Sequence, residues 1–340
     1  MNNLVILAPN WLGDAVMAQP AIADVRRALP RARLVVAARR EIAALFAMVA
    51  EVDDVLTVER GIRRDIGAEL AGRGFDAALL LPNSMHAALM AKRAGIPERW
   101  GYRTDWRGAL LTRAVDPPLG LHQVEYYQQL VHALEFSNGP MEPRVVVPAD
   151  ARAAAQALLA DRGWNGTTPL VAIAPGAAYG GAKRWPPASF AELARTLAGD
   201  GVRTVVVGTA ADRSTADEVL RAFGQADASS SAALSPIDLV GRTDLVTLAG
   251  VFTLCRALVS NDSGAMHLAA AAGTRVTAVF GATDERATRP IGDAHVVVTG
   301  PAWCRPCLLR ECPLDHRFMR GIEVGPVLTA TRRSLRARTL

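Results

Sequence analysis

Apolar residues along this chain fall in short runs separated by amphipathic stretches, and the alternation is regular enough to predict an architecture. Residues 4–8 form a compact apolar run followed by the turn Pro9-Asn10-Trp11-Leu12-Gly13, after which a helical spacing runs from Asp14 to residue 29 and stops at Pro30. Further strand-like runs lie at 34–37, 55–58 and 77–81, with helical stretches at 41–48 and 87–94. Strands alternating with helices in this way predict a parallel sheet covered by helices on both faces. The pattern restarts after a region rich in proline and polar residues. There a helix over 151–161 leads to strands at 170–174, 204–207, 257–260, 276–280 and 295–298, with helices at 190–198, 216–223 and 265–271. Residues 225–236, full of Ala, Ser and Asp, are expected to form a loop.

The expected fold class is therefore α/β, with two doubly wound parallel-sheet units in tandem. We place the first at 1–150 and the second at 151–325, with a tail at 326–340 whose helix, over 327–338, packs back across the join. A length of 340 residues suits two units better than one. Open α/β sheets bind ligands beyond the carboxyl ends of their strands, so a shared cleft between the units is the expected site. There is no sequence repeat, and the duplication is architectural.

Composition narrows the function. A chain that is 50% hydrophobic and 21% charged is not disordered. No run approaches the roughly 20 apolar residues that span a bilayer. The first residues lack a basic leader and carry Asp14 within their apolar stretch, which leads us to expect a cytoplasmic protein. Three of the four cysteines (Cys304, Cys307, Cys312) crowd into one segment, unlike a secreted disulfide framework. The net charge of +5 favours an anionic partner: nucleic acid, a nucleotide, a phosphorylated sugar or a membrane surface. Of 38 basic residues only Lys92 and Lys183 are lysines, which singles them out for sites needing a compact ammonium.

Three loops carry candidate chemistry. Asp14 stands where the first strand gives way to the first helix, and Gly13 lets that loop approach a ligand closely. It reads either as a carboxylate complementing the helix dipole or as a general base, and the two roles can coexist. The strand at 170–174 runs into Pro175-Gly176-Ala177-Ala178-Tyr179-Gly180-Gly181-Ala182-Lys183-Arg184-Trp185-Pro186. Glycines ahead of adjacent Lys183 and Arg184 suit a loop folded around a pyrophosphate, or else a surface loop with solvated charges. It is not a Walker A loop, and neither half opens with Gly-x-Gly-x-x-Gly. The run Ser260-Asn261-Asp262-Ser263-Gly264-Ala265-Met266-His267 joins a strand to an alanine-rich helix. Ser263 and the Gly264 amides form a candidate anion site, Asp262 a candidate sugar-hydroxyl acceptor, and the alternative is a simple cap with a buried His267.

Taken in order, Asn10-Trp11-Leu12-Gly13-Asp14, Pro175-Gly176-Ala177 with Ala182-Lys183-Arg184-Trp185-Pro186, and Asn261-Asp262-Ser263-Gly264-x-x-His267 resemble the landmarks of the lipopolysaccharide heptosyltransferases of glycosyltransferase family 9. The segment from Trp303 through Cys304, Cys307 and Cys312 to Pro313 resembles the heptosyltransferase II branch. The resemblance implies a GT-B fold of two Rossmann-like domains facing a central cleft, the first binding a lipid-linked acceptor and the second a nucleotide sugar. It implies inverting transfer of L-glycero-D-manno-heptose from ADP-heptose to the first heptose of the inner core, with no obligatory cofactor or metal. Asp14 then falls on the family's base, Lys183 on its pyrophosphate contact, and Gly176, Asp262, Ser263, Gly264 and His267 on its donor motifs. Asp212 aligns loosely near the ribose. Asn10, Trp11, Gly13, Arg63 and Arg103 are the expected acceptor contacts, and Arg39, Arg93 and Arg107 are further candidate cations for acceptor phosphates. Peripheral contact with the inner membrane at its cytoplasmic face is implied as well.

Cys304, Cys307, Cys312 and His316 offer thiolate and imidazole donors of the kind zinc takes, although the family's additional cysteine near the position of Phe318 is missing. Two other readings stand beside transfer: a nucleotide-sugar epimerase on the same architecture, and a non-catalytic nucleic-acid or zinc-binding protein. The dispersed arginines, without interleaved aromatics, weigh against nucleic acid.

Overall fold

The computed structural model describes residues 1–58, 66–225 and 234–336. The chain divides into two compact units, Met1–Val146 and Val147–Leu340. In the first, strands β1 (Asn3–Leu7), β2 (Arg33–Arg39), β3 (Asp54–Val58), β4 (Ala77–Leu80), β5 (Glu98–Tyr102) and β6 (Arg113–Val115) pair in parallel in the order β3-β2-β1-β4-β5-β6. In the second, β7 (Leu170–Ala174), β8 (Arg203–Val206), β9 (Ile237–Asp238), β10 (Ala257–Asn261), β11 (Arg275–Phe280) and β12 (Val296–Thr299) run in the order β12-β11-β10-β7-β8-β9. Counted from its own first strand, each sheet has the doubly wound Rossmann order, which reverses direction between the unit's first and fourth strands. The central strands β1, β7 and β10 are almost wholly buried because both faces of a parallel sheet are covered, which is why they read as unbroken apolar runs.

Several elements depart from the apolar pattern. The helical stretch from residue 14 to 29 is two helices, Leu12–Met17 and Gln19–Ala28, and Pro20, which has no amide hydrogen to give, opens the second. β5 and β6 leave little trace in hydropathy: one is Glu-Arg-Trp-Gly-Tyr and the other is three residues long. The helices Gln123–Ala133 and Leu245–Leu254 also add to the predicted set. Most of the loop expected at 225–236 lies outside the described residues. The last helix, Val324–Arg336, packs on β10, β11 and the helix Pro187–Gly199 of its own unit, and Arg332 clamps Asp200 through two bonds of 2.7 and 2.9 Å.

Fixed polar contacts tie the layers. Asp24 is fully buried and accepts from Gln128 Nε2 at 2.9 Å and from the Gly139 amide at 3.1 Å, while Arg27 supplies the cation. These bonds join Gln19–Ala28 to Gln123–Ala133 and satisfy a carboxylate that burial alone would penalise. Asp244 caps Leu245–Leu254 by accepting from the Thr247 amide at 2.7 Å, and that bond holds its carboxyl below the usual range. Asp244→Ala is expected to cost about 1 kcal/mol at neutral pH. Because the folded-state pKa is depressed, the cap's ionic contribution is complete above the unfolded value of about 4 and fades as pH falls through the folded one. Thermal melts of both proteins at pH 7 and in acid should converge at low pH.

Candidate functional site

In the second unit the sheet reverses direction between β7 and β10, and the loops leaving these two strands are the ones singled out in the sequence. The glycine-rich loop after β7 is anchored at both ends. Trp185 is fully buried, meets the Phe190 ring edge-on at 4.9 Å and donates from Nε1 to the Ile322 carbonyl at 2.9 Å. Asn261, the buried last residue of β10, donates from Nδ2 to the Pro175 carbonyl at 2.8 Å and accepts from the Trp185 amide at 2.9 Å. One amide side chain thus fixes the entry and exit of the loop against the neighbouring strand.

Lys183 is held in place between these anchors. Its Nζ lies 2.5 Å from Asp262 Oδ2, and the Thr283 hydroxyl donates to the same oxygen at 2.7 Å. The two charged side chains are only 13% and 6% exposed, so their attraction is poorly screened and neither tolerates loss of its partner well. The ammonium also sits 4.7 Å from the centre of the Tyr179 ring, within cation–π range. Ser263 occupies the N-cap of the helix Gly264–Ala271 but makes no capping bond with its side chain, and its hydroxyl instead meets Ser260 Oγ at 3.1 Å. A helix start with no side-chain cap can offer its first amides and dipole to an anion. His267 is buried one turn into this helix.

Asp212 ends a short turn after β8, where its Oδ2 accepts from the Thr209 amide and hydroxyl at 2.9 and 2.8 Å. Its carboxylate rests directly on Gly176: a Cβ there would stand 2.1 Å from Asp212 Oδ1, so a larger residue would displace the Asp212 side chain from its bonds to Thr209. The structure therefore brings Gly176, Lys183, Asp212, Asp262, Ser263 and Gly264 to the carboxyl edge of the second sheet.

The cysteine-bearing segment braces this edge. The Tyr179 hydroxyl donates to the Leu308 carbonyl at 2.7 Å, the Ala182 amide to the Arg310 carbonyl at 3.0 Å, and the Gly181 amide to Glu311 Oε1 at 2.8 Å. From its other side Arg305 donates to the Gly281 carbonyl at 2.5 Å and to Glu285 Oε2 at 2.8 Å. The three cysteines pack partly buried against the core, and among the described residues no group of three or more His, Cys, Asp or Glu side chains gathers to hold a metal. Phe318 is a core residue, 1% exposed.

In the first unit, Asn10 and Trp11 are exposed after β1, while Gly13 and Asp14 are half-buried in the first turn of Leu12–Met17. Burial and the negative charge of Asp14 raise the pKa of the buried Tyr127 hydroxyl well above its usual value, so the carboxylate lies within electrostatic reach of that ring. Arg103 leaves β5 with its side chain 59% exposed and its Nε 3.6 Å from Asp116, an open pair worth little. Arg107 corrects an expectation: it is fully buried, donates to the carbonyls of Tyr102, Pro82 and Ser84, and braces loops rather than facing a ligand. Burial lowers its pKa to about 10. Arg39 ends β2, and Arg93 is exposed at the end of the helix Met85–Arg93. Arg63 lies outside the described residues.

The loop 103–107 also contains two consecutive non-glycine residues with left-handed backbones, Asp105 (φ 51°) and Trp106 (φ 58°). They are held by Asp105 Oδ2 accepting from the Met85 amide at 2.9 Å and by the Thr104 hydroxyl donating to the Asn83 carbonyl at 2.9 Å. Trp106 is presented 95% exposed. Asn261, Tyr179 and Thr283 hold the site without standing out in sequence: Asn261 has the signal of a polar side chain at a strand end, and Thr283 has no local signal at all.

Two units of Rossmann order, the second carrying an anion-ready loop and helix start at its carboxyl edge, make up the GT-B architecture. The match to known proteins names the family: the chain belongs to glycosyltransferase family 9, the heptosyltransferase family, whose model matches residues 63–317. It is 30% identical to lipopolysaccharide heptosyltransferase 2 of Salmonella typhimurium, with 87% of each chain covered. The solved structure of E. coli ADP-heptose lipopolysaccharide heptosyltransferase II superimposes with a TM-score of 0.81 at 28% identity, covering 98% of both chains. An E. coli heptosyltransferase determined with ADP shares the fold, with a TM-score of 0.73 at 19% identity over 98% of this chain and 99% of that one. No helix among the described residues is long and apolar enough to cross a membrane.

Proposed function

We propose that this chain transfers L-glycero-D-manno-heptose from ADP-heptose to the first heptose of the lipopolysaccharide inner core, inverting the anomeric centre. The observation that carries the reading is the Lys183–Asp262 pair beside the side-chain-uncapped start of Gly264–Ala271, on the edge where such sheets bind nucleotides. Lys183 and the first amides of that helix meet the diphosphate, and Ser263 and Asp262 face the donor's hydroxyls. Gly176, whose missing side chain makes room for the Asp212 carboxylate, stands with Asp212 on the nucleotide's side of the loop, and His267 supports the helix from within. In the first unit Asn10, Trp11, Gly13 and Arg103 contact the acceptor, with Arg63 assigned on resemblance alone.

The chemistry divides between the units. Asp14 removes the proton from the acceptor hydroxyl as the anomeric carbon gains oxocarbenium character, and the positive groups of the second unit stabilise the charge growing on the departing ADP. This reading requires no metal. The acceptor is lipid-linked, so peripheral contact with the cytoplasmic face of the inner membrane is part of it, supported by the +5 charge and by the exposure of Trp106 (95%) and Leu119 (92%). For separate expression the working division falls near residue 150, and the second piece keeps the helix Val324–Arg336, whose Val327 and Ala330 are buried against it.

Calorimetric titration with ADP, UDP and GDP tests the donor half of the reading. ADP is expected to bind at least about tenfold more tightly than the other two, the equivalent of about 1.4 kcal/mol. Equal affinities would leave the adenine assignment without support.

A further inference from the structure

The ion pair that identifies the donor site also creates a charge problem. Lys183 is matched by Asp262 at 2.5 Å, and Glu311 of the cysteine-bearing segment brings a second carboxylate to the same loop, where it accepts from the Gly181 amide. A dianionic diphosphate arriving here meets a lysine that is already neutralised and a further negative charge. Charge-assisted hydrogen bonds are what hold phosphates, so a cation without a carboxylate partner is required close by.

Arg310 meets the requirement. It sits on the cysteine-bearing segment, is exposed, and places its guanidinium 5.4 Å from the centre of the Tyr179 ring, the same ring that Lys183 Nζ approaches at 4.7 Å. Its backbone is fixed to the glycine loop by the Ala182 amide, and Gly180 is packed so tightly against the Arg310 backbone that a Cβ would stand 2.3 Å from its carbonyl oxygen. Arg305, on the same segment, is taken up by Glu285, whereas Arg310 has no carboxylate within 4.0 Å among the described residues. Tyr179 is in turn held by the Leu308 carbonyl, so the ring that carries both cations is anchored to the segment that supplies one of them.

We propose that Arg310 is a donor-phosphate ligand, and that the segment 304–312 serves the donor site by holding this guanidinium beside the Lys183–Asp262 pair. The inference rests on the donor reading above. It gives the cysteine-bearing segment a function without a metal: the segment is a strap between the glycine loop and the loop after β11, and Arg310 is its charged tip.

Titration of the full chain with ADP, AMP and adenosine tests this. Arg310→Ala should weaken ADP about tenfold or more while adenosine binds as before, and it should flatten the salt dependence of ADP binding. Arg310→Lys should recover part of the loss, because a positive charge is kept without the planar fork. A purely structural residue would instead lower the melting temperature and weaken ADP and adenosine alike, and that result overturns the proposal. ADP binding that survives Arg310→Ala unchanged overturns it too, with the donor site intact. An unsubstituted chain that binds no ADP overturns the donor reading and this inference together.

Discussion

Asp14→Asn is expected to reduce heptose transfer by about 10²–10⁴-fold while leaving ADP affinity unchanged, the range typical of removing a positioned general base. The substitution is nearly isosteric and keeps a hydrogen-bonding group in the first turn of Leu12–Met17, so the fold should hold. What it removes is the negative charge. That charge contributes up to about 2 kcal/mol through the helix dipole at a half-buried position, so the melting temperature should fall by no more than a few degrees. Separate readouts of transfer, ADP binding and melting therefore distinguish the two roles open to Asp14. A loss of transfer alone assigns it as the base; a loss of stability with transfer retained makes it a helix-start carboxylate. The nearby Tyr127 hydroxyl offers no alternative base at neutral pH, because burial and the Asp14 charge keep it protonated.

Lys183→Ala should do more than weaken the donor. Its ammonium is the cation for Asp262, a side chain only 6% exposed, and removing one member of a buried pair typically costs about 3–5 kcal/mol. Thr283 still donates one hydrogen bond to the stranded carboxylate, which places the expected loss at the lower end. Nucleotide affinity should fall about tenfold or more in the same variant. Adding Asp262→Asn to Lys183→Ala removes the uncompensated charge and should recover much of the stability without restoring ADP binding. Denaturant titration and calorimetry on the unsubstituted chain and these two variants separate the two effects. ADP affinity preserved in Lys183→Ala would remove this lysine from the donor site.

Much of the fold could be read from the pattern of apolar positions, because central parallel strands such as β1, β7 and β10 are buried on both faces and so appear as continuous runs. The edge of the first sheet could not. β5 owes its place to pairing with β4 and β6 and to the buried Trp100 and Tyr102, in a sequence that opens on two charges and holds a glycine. Leu245–Leu254 is apolar nearly all round, and a run of that kind does not declare its period. The site was legible where it is local. Lys183 and Asp262 each stood out within their own motifs, but their pairing across 79 positions of sequence is a product of β7 lying beside β10. Arg107 misled for the opposite reason: an arginine's burial is decided by the carbonyls that fold around it, and Pro82, Ser84 and Tyr102 carry no sign of that in sequence. In the cysteine segment the sequence shows only ligand types, whereas its contacts to the neighbouring loops come from backbone atoms and from Arg305 and Glu311.

One assay addresses heptose transfer directly. The purified chain is incubated with ADP-heptose and an inner-core acceptor ending in its first heptose, and the acceptor is weighed by mass spectrometry. The expected result is a gain of one heptose residue, dependent on the ADP donor and slowed about 10²–10⁴-fold in Asp14→Asn. An acceptor whose mass is unchanged with every ADP-sugar supplied would contradict it.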